Sequence, residues 1–239
     1  YALFRQHPMP TPIRPTPPPM NQKPHFTQPQ SDFTLIYADA QLLVVSKPSG
    51  MLSVPGRGEE KQDCLVKRVQ VDYPDALIVH RLDYDTSGLL VLARGKTMHR
   101  RLSIQFQERL VDKRYVAVIA GTLTPATGEV NLPLIVDWPN RPLHKVDPVE
   151  GKPSLTLYRV VAYDPDEDST RVELTPETGR THQLRVHMQA LGHPILGDSL
   201  YADPASRAKA DRLLLHAEYL AFQHPENGKR LEFHCPARF

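Results

Sequence analysis

The stretch Leu77-Ile-Val-His-Arg-Leu-Asp-Tyr-Asp-Thr-Ser-Gly-Leu-Leu-Val-Leu-Ala93 places a polar loop between two apolar strands. Continuous apolar runs of this length are typical of strands inside a sheet, so both ends of the loop are anchored in buried elements. Such a loop is a rigid support for reactive side chains, and Asp83 and Asp85 are its two carboxylates. From these residues alone, the loop is either a catalytic platform or a structural turn with capping carboxylates.

Around this stretch, strand-like segments dominate and helices intervene without a regular βαβ period. The apolar pattern predicts strands over residues 33–37, 42–46, 77–79, 89–93, 114–120, 155–162, 170–175, 219–223 and 231–234. Helical spacing predicts helices over residues 63–71, 97–109, 183–191 and 204–213, with Asp63 as the cap of the first. Residues 121–150 are rich in Pro, Gly and Asn, which indicates hairpin and loop. The pattern therefore favours an α+β fold over a doubly wound parallel sheet.

Composition limits the class of protein. The chain has 239 residues and a formal net charge of +2, so a basic surface for nucleic acid has to come from local clustering. Its two cysteines, Cys64 and Cys235, lack the spacing of a metal site or a disulfide framework, which indicates a reducing compartment such as the cytoplasm. Because no apolar run approaches the ~20 residues that span a bilayer, we expect no membrane association.

The first 30 residues differ from the rest because nine of them are prolines. Proline has no backbone N–H, and the segment lacks the apolar surface that a core requires. We therefore expect a disordered tail over residues 1–30 and a single folded domain over residues 31–239. The chain begins at Tyr1, and we expect Met20 to be the natural start.

Two further segments carry candidate functional groups. Lys113-Arg-Tyr115 opens an apolar strand, where basic residues beside a tyrosine can hold a phosphate and stack on a base, although such a tyrosine is also a common core-edge residue. Thr178-Gly-Arg-Thr-His-Gln-Leu-Arg-Val-His-Met188 groups two arginines with two histidines. It has no His-Glu-x-x-His pattern and no nearby thiolate, which disfavours zinc. A buried Arg185 would need a carboxylate partner, and Asp83 is the natural candidate.

Other segments are interpreted as structural. Residues 192–198 have the composition of a turn-rich loop, and residues 212–217 form an apolar packing segment that ends near a histidine. The chain contains neither a Gly-x-x-x-x-Gly-Lys nor a Gly-x-Gly-x-x-Gly pattern, which argues against a nucleoside triphosphatase and a dinucleotide enzyme.

Together, these segments resemble the RluA-type pseudouridine synthase family over about residues 35–239. The core of the resemblance is the specific signature His80-Arg-Leu-Asp-Tyr-Asp-Thr-Ser-Gly88. The supporting segments are residues 46–50, 113–115, 138–142, 179–187, 192–198 and 213–217. The resemblance implies one α+β catalytic domain, with a mixed, mostly antiparallel sheet split by an active-site cleft. Many relatives carry an S4-like RNA-binding domain, and we expect none here because a proline-rich tail precedes Phe33.

The resemblance also implies roles for individual residues. Asp83 resembles the catalytic aspartate, Arg185 the arginine that pairs with it, and Tyr115 the tyrosine that contacts the target base. Arg81 resembles an arginine that enters the RNA stack where the target uridine has left. We expect further RNA contacts from His80, Arg180 and Leu214, and phosphate contacts from Lys47, Arg57, Arg141 and Lys152.

The implied activity is the isomerisation of specific uridines in structured RNA, namely 23S rRNA and a tRNA anticodon stem-loop, through base flipping. Asp83 then stabilises charge at C1′, attacks C1′ as a nucleophile, or removes a ribose proton, and the sequence leaves these routes open. We expect no metal or cofactor, because the reaction is an isomerisation, and we expect a monomer. The alternatives are a relative acting on rRNA or tRNA alone, an RNA-folding factor with dispensable catalysis, and a nucleoside hydrolase using Asp83 and Asp85.

Overall fold

A ten-stranded sheet organises the computed structural model, which describes residues 32–239. The predicted tail over residues 1–30 and the expected start at Met20 lie outside these described residues. The strands are β1 (Thr34–Ala38), β2 (Leu42–Lys47), β3 (Ala76–Ile78), β4 (Ser87–Arg94), β5 (Asp112–Ala120), β6 (Thr127–Asn131), β7 (Leu134–Val136), β8 (His144–Val146), β9 (Leu155–Asp164), β10 (Ser169–Pro176), β11 (Leu215–Gln223) and β12 (Arg230–His234). The helices are α1 (Leu65–Asp72), α2 (Gly95–Gln107), α3 (Gln183–Ala190) and α4 (Pro204–Ala208).

The order of strands in the large sheet is β1-β2-β4-β11-β5-β10-β9-β6, with β3 paired to β4 and β12 paired to β11. β7 and β8 form a separate antiparallel hairpin. Among the strand pairs of residues 32–239, only β4 and β11 run parallel. The expected α+β fold with a mixed, mostly antiparallel sheet is therefore confirmed.

The parallel contact between β4 and β11 is a short seam, defined by the pairs Ser87↔His216 and Gly88↔Ala217. α1 and α2 pack on the β3–β4 side of this seam, whereas α3 packs against β9 and β10 on the other side. Gly88 permits the close approach, because its φ of +116° favours glycine and a Cβ there would lie 2.3 Å from the carbonyl oxygen of Ala217.

β2 and β4 are buried on both faces, which explains their continuous apolar sequence. One face packs against Leu65 and Val69 of α1, and the opposite face packs against Leu102 of α2. The loop between β3 and β4 is therefore anchored at its end in an almost fully buried strand. None of the helices in residues 32–239 is long and apolar enough to cross a membrane.

Several element boundaries differ from the sequence prediction. Asp63 does not cap α1, because the N-cap is Cys64 and the Asp63 carboxylate lies 2.6 Å from Nη2 of Arg68. The predicted helix over residues 204–213 was wrong in length, since α4 ends at Ala208.

Strands also form where none was predicted. β11 begins at Leu215 rather than at residue 219, because this apolar segment pairs with β5 as well as with β4. Residues 121–150 contain the hairpin of β7 and β8, as the composition indicated, but they also supply β6, which pairs with β9 at the edge of the large sheet. Both differences come from partners that are distant in the sequence.

We predict that Gly88→Ala destabilises the protein by more than about 3 kcal/mol, because the added Cβ meets backbone atoms that cannot rotate away. Gly95→Ala is the matched control, since Gly95 also has a positive φ of +76° but has no atom within 4 Å of its Cβ position. The control should lose only about 1–2 kcal/mol, the cost of left-handed backbone. Urea unfolding of both variants measures the difference, and equal losses would show that the seam tolerates a side chain.

Candidate active site

The loop between β3 and β4, residues 79–86, is held by the turn that follows β2. Ser53 Oγ donates to the carbonyl oxygen of Leu82 at 2.7 Å and accepts the Leu82 N–H at 3.1 Å. Ser49 Oγ donates to the carbonyl oxygen of Asp85 at 2.7 Å. Because these contacts use the backbone of the loop, they fix its path and leave the Asp83 side chain facing the neighbouring cavity.

Lys47 supports the same loop from its buried side. It is 1% exposed, and its Nζ donates to the carbonyl oxygens of Pro48, Met51 and Tyr84 at 2.9, 2.7 and 3.1 Å. Burial lowers the pKa of Lys47 to about 7, whereas the nearby Asp83 carboxylate raises it. Three carbonyl acceptors match the three N–H groups of the charged ammonium. The expected phosphate contact of Lys47 was wrong, because the side chain is enclosed by the protein.

Asp83 presents a carboxylate whose side chain is 25% exposed. Its Oδ2 lies 4.0 Å from Nη1 of Arg185 and 4.0 Å from Nε2 of His182. The structure thus brings Asp83 and Arg185 together, as the sequence predicted, but at a distance longer than a hydrogen bond.

The closest partner of Arg185 is Asp198, which the sequence analysis missed. Arg185 Nε and Nη2 donate to the two carboxylate oxygens of Asp198 at 2.8 and 2.6 Å, and both side chains are buried. Asp198 also accepts the N–H groups of Leu200 and Tyr201. Asp198 raises the pKa of Arg185 against the opposing effect of burial, so the guanidinium stays charged. The predicted partner Asp83 is therefore the more distant of two carboxylates, because Asp198 binds the same guanidinium in a bidentate manner.

His182 precedes α3 and lies beside Arg185 in the same wall. Its Nδ1 lies 2.7 Å from the hydroxyl of Tyr201, a residue without a role in the sequence analysis. The Tyr201 hydroxyl also accepts the backbone N–H of His144 at 2.9 Å. Burial lowers the pKa of His182 to about 4, although Asp83 opposes this, so the imidazole is neutral at neutral pH.

A cavity of about 570 Å³ opens beside Asp83. The cationic side chains that line it are Arg81, Arg109, Lys113, Arg180 and Arg185, and the anionic ones are Asp83 and Glu177. The predicted cleft is therefore present, and its wall carries the local positive charge that the net charge of the chain does not reveal. Within residues 32–239, no three His, Cys, Asp or Glu side chains are grouped so that they could hold a metal ion.

Part of the apolar wall of the cavity comes from β5 and β11. Tyr115 of β5 lines the cavity and packs against two apolar clusters. One cluster includes residues of β2, β4 and α1, and the other includes residues of β5, β10 and α3. Burial and, secondarily, the Asp83 charge raise the pKa of Tyr115, so the phenol is neutral. Leu215 lines the cavity, whereas the predicted Leu214 packs against the apolar core beside it. Successive side chains of an extended chain point in opposite directions, so a shift of one position matters.

The other predicted RNA contacts divide into exposed and packed groups. Arg81 and Arg180 are exposed at the cavity, where Arg81 Nη2 lies 3.5 Å from Thr181 Oγ1. His80 also lines the cavity, but its Nε2 accepts the N–H of Val91 and its ring stacks on Phe106 with centroids 4.4 Å apart. Burial lowers the pKa of His80 to about 3. His80 is thus a neutral residue that packs on Phe106 and also lines the cavity, where its predicted RNA contact stays a prediction.

The remaining candidates for phosphate contacts lie outside the cavity wall. Arg57, Arg141 and Lys152 are all exposed. The Arg141 guanidinium lies over the ring of Trp138, 3.3 Å from its centroid, and this ring is 64% exposed. The pair forms an outward-facing cationic and aromatic surface between β7 and β8.

Comparison with known proteins gives consistent matches. The family described as RNA pseudouridylate synthase matches residues 41–190. The dual-specificity RNA pseudouridine synthase RluA of Escherichia coli (strain K12) is 54% identical over 216 residues, which cover 90% of this chain and 98% of that protein. The protein of the same description from Yersinia pestis is 52% identical, covering 86% and 99%. The solved structure of human RNA pseudouridylate synthase domain containing 1 has a TM-score of 0.74 at 30% identity, covering 89% of this chain and 87% of that chain.

We predict that Lys47→Met lowers the free energy of unfolding by about 2–4 kcal/mol, because buried carbonyl groups lose a charged donor. Lys152→Met is the matched control, since Lys152 is exposed, and it should change stability by less than about 0.5 kcal/mol. Urea unfolding measures both values. Similar small losses would mean that Lys47 does not hold the loop.

We further predict that Asp198→Asn costs about 3–5 kcal/mol of stability, because it leaves the buried Arg185 guanidinium without its counter-charge. Asp112→Asn provides the comparison, since Asp112 binds Arg230 at the same distance of 2.6 Å but both side chains are at least half exposed. That exchange should cost about 1 kcal/mol or less. Thermal unfolding of the two variants tests the contrast, which equal shifts would contradict.

Proposed function

Because the chain belongs to the RNA pseudouridylate synthase family, it is an RNA pseudouridine synthase, and we propose that Asp83 is its catalytic carboxylate and that both rRNA and tRNA are its substrates. The position of Asp83 carries the first proposal, since its carboxylate faces the cavity beside the charged Arg185 and close to Tyr115. Support for two substrates comes from relatives described as dual-specificity enzymes, which match along 98% of their own length.

The reaction explains why a single carboxylate suffices. The N1–C1′ bond of uridine breaks, the uracil turns, a C5–C1′ bond forms, and the C5 proton is replaced by one at N1. No atom is gained or lost, so the protein has to stabilise charge and move protons rather than supply a reactant. Positive charge develops at C1′ as the glycosidic bond breaks, and a carboxylate can stabilise it or attack that carbon. All of these routes use the carboxylate of Asp83, and the Arg185 guanidinium lies 4.0 Å from its Oδ2 as a counter-charge.

Access to C1′ requires that the uridine leaves the RNA stack, which costs a few kcal/mol for unstacking. The cavity of about 570 Å³ is in the size range of small-molecule sites and can hold one nucleotide. Tyr115 and Leu215 offer the flipped base a flat, apolar wall. The exposed Arg81 guanidinium is planar and can stack in the gap that the base leaves.

The RNA backbone is then held at the rim of the cavity. Arg109, Lys113 and Arg180 lie around the opening, where they can contact phosphates on either side of the flipped nucleotide. Because these cations are local and the net charge is only +2, we propose that the enzyme reads folded loops through their shape rather than by strong non-specific attraction. The residues that the proposal uses surround a single cavity, which supports our proposal of a monomer. We also propose that the enzyme acts in the cytoplasm, where its two free cysteines stay reduced.

We predict that Asp83→Asn reduces pseudouridine formation by at least about 1,000-fold in unmodified rRNA and tRNA transcripts, while RNA affinity stays within about threefold. Base-resolved mapping of pseudouridine gives the rates, and filter binding gives the affinity. Asp85→Asn is the control, because it makes the same exchange in the same loop. It should keep at least about one tenth of the activity.

Each alternative has its own outcome in this experiment. Activity that survives Asp83→Asn refutes the catalytic assignment. Release of free uracil that depends on both Asp83 and Asp85 indicates the nucleoside hydrolase. Modification of only one of the two RNAs limits the substrate to that class, and binding without modification of either indicates an RNA-folding factor.

A further inference from the structure

His182 occupies an unfavourable backbone position in the cavity wall. Its φ is +57° and its ψ is +15°, which is left-handed backbone that residues other than glycine seldom adopt. A glycine at this position would adopt the same conformation at less cost. A strained residue whose side chain is only 10% exposed and approaches the Asp83 carboxylate suggests a requirement for that side chain.

The hydrogen bonds behind His182 determine which ring nitrogen carries the proton. The backbone N–H of His144 donates to the Tyr201 hydroxyl at 2.9 Å, and this hydroxyl lies 2.7 Å from Nδ1 of His182. Among the described residues, Nδ1 is the only acceptor within hydrogen-bond distance of the Tyr201 hydroxyl, so this arrangement favours donation of the Tyr201 proton to Nδ1. The hydrogen of the neutral ring is then on Nε2, the atom that lies 4.0 Å from Oδ2 of Asp83.

We propose that His182 is a positioning residue, which donates its Nε2–H to Oδ2 of Asp83 when the target nucleotide enters, and so orients the carboxylate towards C1′. The proposal rests on the catalytic role proposed for Asp83. Arg185 approaches the same oxygen, so two donors hold one side of the carboxylate and direct the other oxygen to the substrate. Catalytic hydrogen bonds often tighten when the substrate binds, so we expect the 4.0 Å distance from Nε2 to Oδ2 to shorten in the complex.

A neutral donor suits this position better than a second cation. Burial keeps the imidazole uncharged, and the charged groups that face it are Asp83, Arg185 and Asp198, with His144 at its edge. Arg185 already supplies one positive charge close to Asp83. A protonated His182 would remove most of the negative charge that the developing cation at C1′ requires. The imidazole therefore supplies orientation, and Arg185 supplies the charge.

Two substitutions separate the hydrogen-bond donor from the backbone strain. In His182→Gln, the side-chain amide nitrogen replaces Nε2 as a donor, but glutamine tolerates a positive φ poorly. In His182→Asn, the backbone conformation is better tolerated, but the shorter amide replaces Nδ1 and cannot reach Asp83. A structural role predicts that activity follows stability and is higher in the Asn variant. A positioning role predicts the reverse order.

We expect His182→Asn to lower the single-turnover rate by about 10- to 100-fold, the effect of losing one hydrogen bond to a charged group, with RNA affinity within about threefold of the parent. His182→Gln should recover at least about one third of the parent rate despite its lower thermal stability. The measurements are pseudouridine formation with enzyme in excess over a tRNA stem-loop transcript, filter binding and thermal unfolding.

The tautomer of His182 provides a second test of the positioning role. Nitrogen-15 NMR of the imidazole in the whole protein should show a neutral ring with its proton on Nε2, and Tyr201→Phe should reduce the share of this tautomer. A proton on Nδ1, or a His182→Asn rate equal to that of the parent while Asp83→Asn is inactive, would falsify the inference about His182 alone. Full activity of Asp83→Asn would instead remove the proposed function on which it rests.

Discussion

The close parallel contact of β4 with β11 is the constraint on which the rest of the site depends. β4 and β11 approach closely here because Gly88 has no side chain, and each strand supports one part of the cavity wall. The loop with Asp83 leads directly into β4, and β5 with Tyr115 is the antiparallel neighbour of β11. The segment that ends at Asp198 is also attached here, because Leu196 bonds to the backbone of β5 and to Leu214. Residues that are far apart in sequence therefore meet at one rigid seam.

Rigid support also explains how charges remain buried in this site. The side chains of Lys47, Arg185 and Asp198 lie almost wholly inside the protein, where an unpaired charge would be very costly. Each has several partners on more than one segment of the chain, so the charges hold those segments together as well as being stabilised by them. The reactive carboxylate differs, because it is partly exposed and only loosely approached by its neighbours. Because the buried charged residues around it are held rigidly, the Asp83 carboxylate stays accessible to the substrate.

Much of the fold could be predicted from the sequence because the signals were local. The apolar runs of β2 and β4 are continuous since both faces are covered, and the helical spacing of α2 reflects packing on one face only. Several of the errors came from partners that are distant in the sequence. Lys47 is enclosed because its Nζ binds the carbonyl of the distant Tyr84 as well as those of Pro48 and Met51, and Asp198 lies in a segment with the composition of a simple turn. The start of β11 was missed because its pairing with β4 and β5 determines it, not its propensity.

The bidentate bond between Arg185 and Asp198 has a consequence for the charge of the site. Asp198 cancels the formal charge of the guanidinium and burial keeps the His182 ring uncharged, so the formal charge that remains among these four groups is that of the Asp83 carboxylate. The formal negative charge of Asp83 disfavours a phosphate group beside it, whereas the Arg109, Lys113 and Arg180 side chains elsewhere in the cavity wall attract one. An uncharged base with its sugar meets no such repulsion next to Asp83. The unequal distribution of charge in the wall thus favours one orientation of a bound nucleotide.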